Sequence, residues 1–286
     1  MDQASVTRVA LMDGFVLERE RSGVPTPVTG LPRGAQRLIA RLSLCGHPGR
    51  GAIAGQLWPE VPESHADGSL RSALWRVQKA VPGLVEASGG SLGLADGVRV
   101  DVREFTQWAQ RVLDPQTVVD GTVALDVGLR GELLPGWYDD WVLIARERLR
   151  QLKLHALEVL ADKLVCVGRY GEALQAAYAA VDTEPLRESA HRAVVQVHLA
   201  EGNAAEAVRA YEMFRDMLAD ELGVTPSNQM DELLLHACGR APLHAGAGRW
   251  QNGSLTPVVT PRGDAAPMAS MDGHHTEPVG GPPPGG

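Results

Sequence analysis

Two stretches of the chain carry one pattern: GRYGEALQAAYAAV begins at Gly168 and GNAAEAVRAYEMFR at Gly202, a spacing of 202 − 168 = 34 residues. Glu172/Glu206, Ala173/Ala207, Leu174/Val208 and Ala177/Tyr211 match in register, as do Leu160/Val194 and Val165/Leu199 ahead of the glycines. A 34-residue period is that of tetratricopeptide-like helix pairs, with small residues at the tight helix contacts and larger apolar ones across the stack. Two such units cannot bury their faces alone, so the helices between 101 and 130 are expected to complete the stack.

The sequence from 101 to about 240 reads as helical throughout. DVREFTQWAQRVL sets Val102, Phe105, Ala109 and Val112 at helical spacing, and GTVALDVGLRGELLPG is a shorter apolar segment stopped by Pro135 and Gly136. Next, LLPGWYDDWVLIARERL concentrates two tryptophans, a tyrosine and two aspartates into residues 137–141, although the whole chain holds only 6 Trp, 4 Tyr and 3 Phe. Adjacent aspartates on a helix diverge by about 100° and do not converge on one ion. Asp139 or Asp140 is therefore expected to cap a long helix. Trp141 would be that helix's first core residue, with Trp137 and Tyr138 packed in the turn before it.

Ahead of the helical region the pattern changes. Residues 6–30 alternate short β-prone runs with Gly and Pro and read as a small antiparallel sheet. RGAQRLIARLSLCG and GRGAIAGQLWPEVP follow as two short helices, the second stopped by Pro59. In ADGSLRSALWRVQKAVPG, residues 66–83, Leu70, Ala73, Leu74, Val77 and Val81 share one face, while Ser72, Trp75, Arg76 and Lys79 lie opposite, flanked by Arg71 and Gln78. LVEASGGSLGLADGVRVD then reads as a hairpin around Gly89-Gly90. Sheet, three helices and hairpin make a winged helix-turn-helix, in which the third helix enters the major groove of double-stranded DNA. Arg71, Ser72, Trp75, Arg76 and Lys79 are the expected contacts, the arginines to phosphate or guanine edges and Trp75 to sugar or a base methyl.

The fold expected is mainly α: a winged helix-turn-helix over 1–104, an all-α TPR-like domain over 105–240, and a disordered tail over 241–286, where 9 Gly and 8 Pro fall in 46 positions. Net charge is −8, but residues 31–81 hold seven basic against three acidic side chains, a local excess suited to a polyanion. Cys45, Cys166 and Cys238 are odd in number and widely spaced, and are expected to be buried, reduced thiols rather than a disulfide or zinc framework. No long apolar run and no leader-like N-terminus is seen, so a cytoplasmic protein with no membrane partner is expected. GRGAIA follows a helix rather than a strand, which removes a dinucleotide reading, and His191 and His198, seven apart, are expected in core or interface rather than on a metal. No catalytic signature and no phosphate-binding loop occurs; neither an enzyme nor a cofactor is expected.

The order of these parts, together with LRSALWR, EPLRESAHRAVVQVHLAEGN and ADELGVTPS, resembles the antibiotic regulatory protein (SARP) family of bacterial activators over roughly residues 8–236. The first part resembles an OmpR-type winged helix and the second a bacterial transcriptional activator domain. The resemblance implies a sequence-specific activator that binds direct repeats near a promoter and recruits RNA polymerase, in many cases for secondary-metabolite genes, with a homodimer possible. It also implies that the loop from Trp58 to Ala66, carrying Glu60 and Glu63, faces polymerase. Two departures stand out: the hairpin stretch SGGSLGLADG carries no Lys or Arg, and Val77-Gln78-Lys79 follows Arg76 where the family often has a denser basic run. They keep a second reading open, a TPR-like interaction scaffold whose winged helix no longer binds DNA.

Overall fold

The structure, a computed structural model, describes residues 6–21, 23–117 and 131–238. Most of the segment GTVALDVGLRGELLPG and the whole of the Gly/Pro-rich tail, with the expectations attached to them, lie outside the described residues. Three strands open the chain, β1 (Thr7–Ala10), β2 (Val16–Arg21) and β3 (Val24–Pro27), followed by α1 (Arg33–Leu44), α2 (Arg50–Leu57) and α3 (Glu63–Ala80). A hairpin of β4 (Val85–Ser88) and β5 (Ser91–Leu94) leads into β6 (Arg99–Val100). The rest is helical: α4 (Asp101–Leu113), α5 (Asp140–Cys166), α6 (Tyr170–Thr183), α7 (Glu188–Glu201), α8 (Ala204–Leu222) and α9 (Asn228–Cys238).

The first six strands and three helices form a winged helix-turn-helix head. Its sheet runs β3-β2-β1-β6, antiparallel except that β6 joins β1 in parallel. Leu38, Ile39 and Leu42 of α1, Ile53 and Leu57 of α2 and Leu70 and Val77 of α3 are buried in one core with Val9, Leu11 and Leu17 of the sheet side. Gly89 and Gly90 have φ of 58° and 83° at the tip of the β4-β5 hairpin. Successive positive φ values at the two central residues are what a tight hairpin turn with the strands' own twist requires.

The 34-residue period corresponds to two stacked helix pairs, the C-terminal half of α5 with α6 and then α7 with α8. Gly168 and Gly202 end the first helix of each pair with φ of 76° and 88°. The matched positions behave alike: Leu160 and Val194, Ala173 and Ala207, and Ala177 and Tyr211 are all buried. Phe105, Trp108, Ala109 and Val112 of α4 cover the open face of the first pair, and Met230 and Leu234 of α9 pack against the end of the second. His191 is buried in a stack on Phe214, ring centroids 4.1 Å apart, with Nε2 2.8 Å from the Pro185 carbonyl oxygen. Burial lowers its pKa, with the Pro185 hydrogen bond opposing. Two cysteines depart from the expectation of buried thiols: Cys166 is exposed at the last turn of α5, and Cys45 is half-buried, its Sγ 2.8 Å from the Arg41 carbonyl oxygen. The side chain of Cys238 lies outside the described residues. Cys166 ends its helix at an exposed Gly-containing bend, a placement that the number and spacing of cysteines do not encode.

Packing crosses the division at residue 104. No linker separates head from repeats, because β6 ends at Val100 and α4 begins at Asp101. The Asp101 carboxylate, 3% exposed, accepts hydrogen bonds from the backbone N–H groups of Leu11 and Met12 at 2.9 Å and of Val102 at 2.7 Å. Arg103 reaches back from α4 to donate to the carbonyls of Leu42 and Ser43. Later in the chain, Leu133, Leu134, Trp137, Trp141 and Val142 enter the head's own core. At a rise of 1.5 Å per residue α5 is about 40 Å long. Its N-terminal turns, through Ala145 and Leu149, pack on the head and its remainder on the repeats.

Candidate nucleic-acid interface

Helix α3 starts three residues earlier than its apolar stripe. Pro62, with φ −55° and ψ 149°, occupies the position before the first turn, and Gly68 does not interrupt the helix. A proline fits there because its φ is already near the value needed and its missing N–H has no partner to lose. The loop expected over Trp58–Ala66 is thereby reduced to the turn Trp58–Pro62, and Glu63 sits in the first turn of α3 rather than in the loop. Glu60 remains in the turn and is exposed.

One face of α3 is filled by Ala66, Leu70, Ala73 and Val77. Arg71, Ser72, Trp75, Arg76 and Lys79 are exposed or half-exposed on the outer side. They fall in two rows at three- and four-residue spacing, 71-75-79 and 72-76-79, so they share one surface. Trp75 is 60% exposed, with Lys79 Nζ 5.1 Å and the Arg76 guanidinium 6.0 Å from its ring centroid. Ser72 donates to the Gly68 carbonyl at 3.0 Å, which leaves its oxygen able to accept a bond. All five expected residues are therefore brought together, two flat or polar groups set among three cations.

The β4-β5 hairpin, the wing, is stitched to the start of α2. The Leu92 N–H donates to the Pro48 carbonyl at 2.9 Å, the Arg50 N–H donates to the Gly90 carbonyl at 3.1 Å, and Gly49 pairs with Ser91. Gly93 lies so close to the His47 ring that a Cβ there would require the ring to move. Glu86 is the one charged residue between Val85 and Leu94. The wing thus offers the Ser88 hydroxyl and the polar backbone of Ser88, Gly89 and Gly90 rather than positive charge. Arg50, in the first turn of α2 and next to the wing tip, was not singled out from the sequence; its place directly after Gly49, at a helix start, is the signal that was available.

A second set of cations, also missed, lies on α1. Arg33, Arg37 and Arg41 recur every four residues and face the start of α5. Arg37 is ion-paired with Asp139, Arg33 Nη2 is 4.0 Å from the same carboxylate, and the Arg33 guanidinium lies 3.5 Å from the Trp137 ring centroid. Arg41 stands 5.7 Å from the ring centroid of Trp141. Burial lowers the pKa of Arg33, with Asp139 opposing and Arg37 adding. The capping role expected of Asp139 is corrected here: it occupies the N-cap position but its side chain makes no capping hydrogen bond, because the α1 arginines take the carboxylate. Tyr138 is corrected likewise, being 78% exposed rather than packed, whereas Trp137 and Trp141 are buried. Arg146 closes the turn, donating to the carbonyls of Leu133, Leu134 and Trp137.

Between these elements a groove of about 870 Å³ is lined by Trp58, Glu60 and Val61 on the head, Tyr138 in the turn before α5, and Ile144 and Arg148 on α5. Among the described residues no cluster of three His, Cys, Asp or Glu side chains could hold a metal ion, and no helix is long and apolar enough to cross a membrane.

Comparison with known proteins agrees with this architecture. Residues 101–235 match the family model described as the bacterial transcriptional activator domain. The regulatory protein AfsR of Streptomyces coelicolor (strain ATCC BAA-471 / A3(2) / M145) is 32% identical over 249 residues, 77% of this chain and 25% of that protein. AfsR of Streptomyces griseus is 30% identical over 201 residues, 65% and 20% of the two chains. The chain thus spans a quarter or less of the length of these curated relatives. The solved structure of Mycobacterium tuberculosis EmbR in complex with a low-affinity phosphopeptide superposes with a TM-score of 0.64 at 22% identity, covering 84% of this chain and 66% of that one, which establishes the shared fold. With the winged head and the repeat pair in place, residues 101–235 are a bacterial transcriptional activator domain, and the matches support a SARP-family transcriptional regulator.

Proposed function

We propose that the chain is a sequence-specific DNA-binding activator of transcription, with residues 1–104 holding DNA and 105–240 meeting polymerase or pairing protomers. The observation that carries this reading is the α3 face. Trp75 stays 60% exposed although Arg76 and Lys79 stand over its ring, whereas a duplex offers phosphates to the cations and a sugar or base methyl to the ring. In this reading Arg71, Arg76 and Lys79 contact phosphates or guanine edges, Ser72 a phosphate, and Trp75 the sugar or thymine methyl. The sites are direct repeats near a promoter, RNA polymerase is the protein partner, and a secondary-metabolite gene cluster is the regulated set. Glu60 in the Trp58–Pro62 turn and Glu63 at the start of α3 face polymerase; Glu60→Ala/Glu63→Ala is expected to reduce transcription and leave DNA binding intact.

The uncharged wing favours a second reading, a scaffold without DNA affinity. Binding of the full chain to duplexes selected from random sequence, followed across a salt series, separates the two. An activator binds selectively with log K falling linearly in log salt by about 0.9 per phosphate contacted. Arg71→Ala/Arg76→Ala abolishes the selectivity. Salt-insensitive or absent binding by the wild type moves the assignment to the scaffold.

A further inference from the structure

The geometry points to Asp139, Arg37 and Arg33 as positioning residues that hold the DNA-reading head at one fixed angle to the helical repeats, so that a bound chain presents its repeats to one side of the duplex only. This rests on the activator reading above. Three observations carry it. The boundary between the two parts has no slack, since β6 passes into α4 between Val100 and Asp101 and the Asp101 carboxylate ties that junction to Leu11 and Met12. The contact is also chemically specific. A row of cations on α1 meets an alternating row on the other side, Arg33 against Trp137 and Asp139, Arg37 against Asp139, Arg41 against Trp141. Finally, Asp139 and Arg37 are largely shielded from water, their side chains 12% and 20% exposed. A shielded pair is much less screened by salt than a surface pair, and removing one partner destabilises it more.

A helical repeat unit tethered by a flexible linker could sample both faces of the duplex. A clamped one cannot. Because B-DNA turns once in about 10–10.5 base pairs, moving a binding site by half a turn places a clamped partner on the opposite side of the promoter. The consequence is a phase rule: activation depends on which face of the helix the site occupies, and the clamp residues enforce it while touching neither DNA nor polymerase.

The test uses the full chain, a site it selects from random duplexes, and in vitro transcription with the RNA polymerase holoenzyme of the source organism. The site is moved upstream of a weak core promoter in single base-pair steps through one helical turn. The wild type is expected to show one activity peak per turn. Asp139→Asn, and independently Arg33→Ala/Arg37→Ala from the other side of the contact, are expected to keep the dissociation constant for the site within about twofold, yet to lower peak activation roughly tenfold and flatten the phase profile. Arg37→Asp/Asp139→Arg, which reverses the pair, is expected to restore the peak. Phase-independent activation by the wild type, or wild-type profiles in both clamp variants, overturns the inference and leaves the activator reading standing. Parallel loss of DNA affinity also overturns it, because the residues then act on the head's fold. Absence of any selected site removes the activator reading itself, and the inference with it.

Discussion

Helices α1 and α3 each display three cations to one side, and only the surroundings distinguish them. Arg33, Arg37 and Arg41 face a carboxylate and two indole rings. Arg71, Arg76 and Lys79 face solvent, with the neighbouring ring contributed by Trp75 of their own helix. Counting charge over residues 31–81 merges the two sets and overstates what is available to a polyanion. Three of those seven cations are taken up in holding the protein's own parts together; of the remaining four, Arg71, Arg76 and Lys79 lie on the α3 face and Arg50 lies at the start of α2 beside the hairpin tip.

The largest effect that would break this contrast is removal of everything the α1 side rests on. A fragment ending at residue 104 lacks Leu133, Leu134, Trp137, Trp141 and Val142, five side chains buried in the head's core. At about 1.5–3 kcal/mol each for full burial, their absence amounts to roughly 10 kcal/mol, comparable to the whole stability of a typical domain. The fragment is expected to show no cooperative thermal transition by circular dichroism. A melt like that of the full chain would mean the head is self-sufficient and the α1 contact incidental.

Next in size is the exposed set. Arg71→Ala/Arg76→Ala is expected to weaken DNA binding roughly a hundredfold at moderate salt and to reduce the salt slope by about two, one unit for each phosphate no longer neutralised. Its melting temperature should match the wild type. Arg37→Ala should behave in the opposite manner. Leaving Asp139 shielded with one partner fewer costs about 2 kcal/mol of stability, seen as a lowered melting midpoint, with DNA affinity unchanged. If both variants moved both quantities together, the division of labour between the helices would be wrong.

The smallest expected effect lies away from either helix. His191 is buried against Phe214 and its pKa is lowered by that burial, so the folded protein binds the proton less readily than the unfolded chain. Stability from this group is complete above the unfolded value of about 6.5 and is lost as pH falls below it. Melting midpoints measured between pH 7.5 and 5 should therefore decline less in His191→Leu than in the wild type. Equal slopes would place the acid sensitivity elsewhere.

Periodicity made much of this legible. The repeat, the winged head, the hairpin at Gly89-Gly90 and the outward face of α3 all follow from local spacing, because each depends on which residues share a face within one element. What spacing could not supply was the partner across a contact. Trp141 reads equally well as the first core residue of a repeat or of the head, and it belongs to the head. Asp139 has the sequence of a helix cap, but an arginine a hundred residues earlier claims its carboxylate. The four-residue spacing of Arg33, Arg37 and Arg41 was visible as a cationic stripe; that it faced aromatic rings depended on long-range packing. Glu63 moved from loop to helix for a local reason, the proline before it.

The head's dependence on residues 133–142 also affects how the protein is made. A growing chain emerges from its N-terminus and folds in that order. Here the winged head cannot finish its core when its own last strand, ending at Val100, has been synthesised. It must wait about forty residues longer, for Trp141 and Val142. A message cut short within that interval therefore yields no folded head and, on the function proposed above, no truncated product that occupies promoters without the repeats.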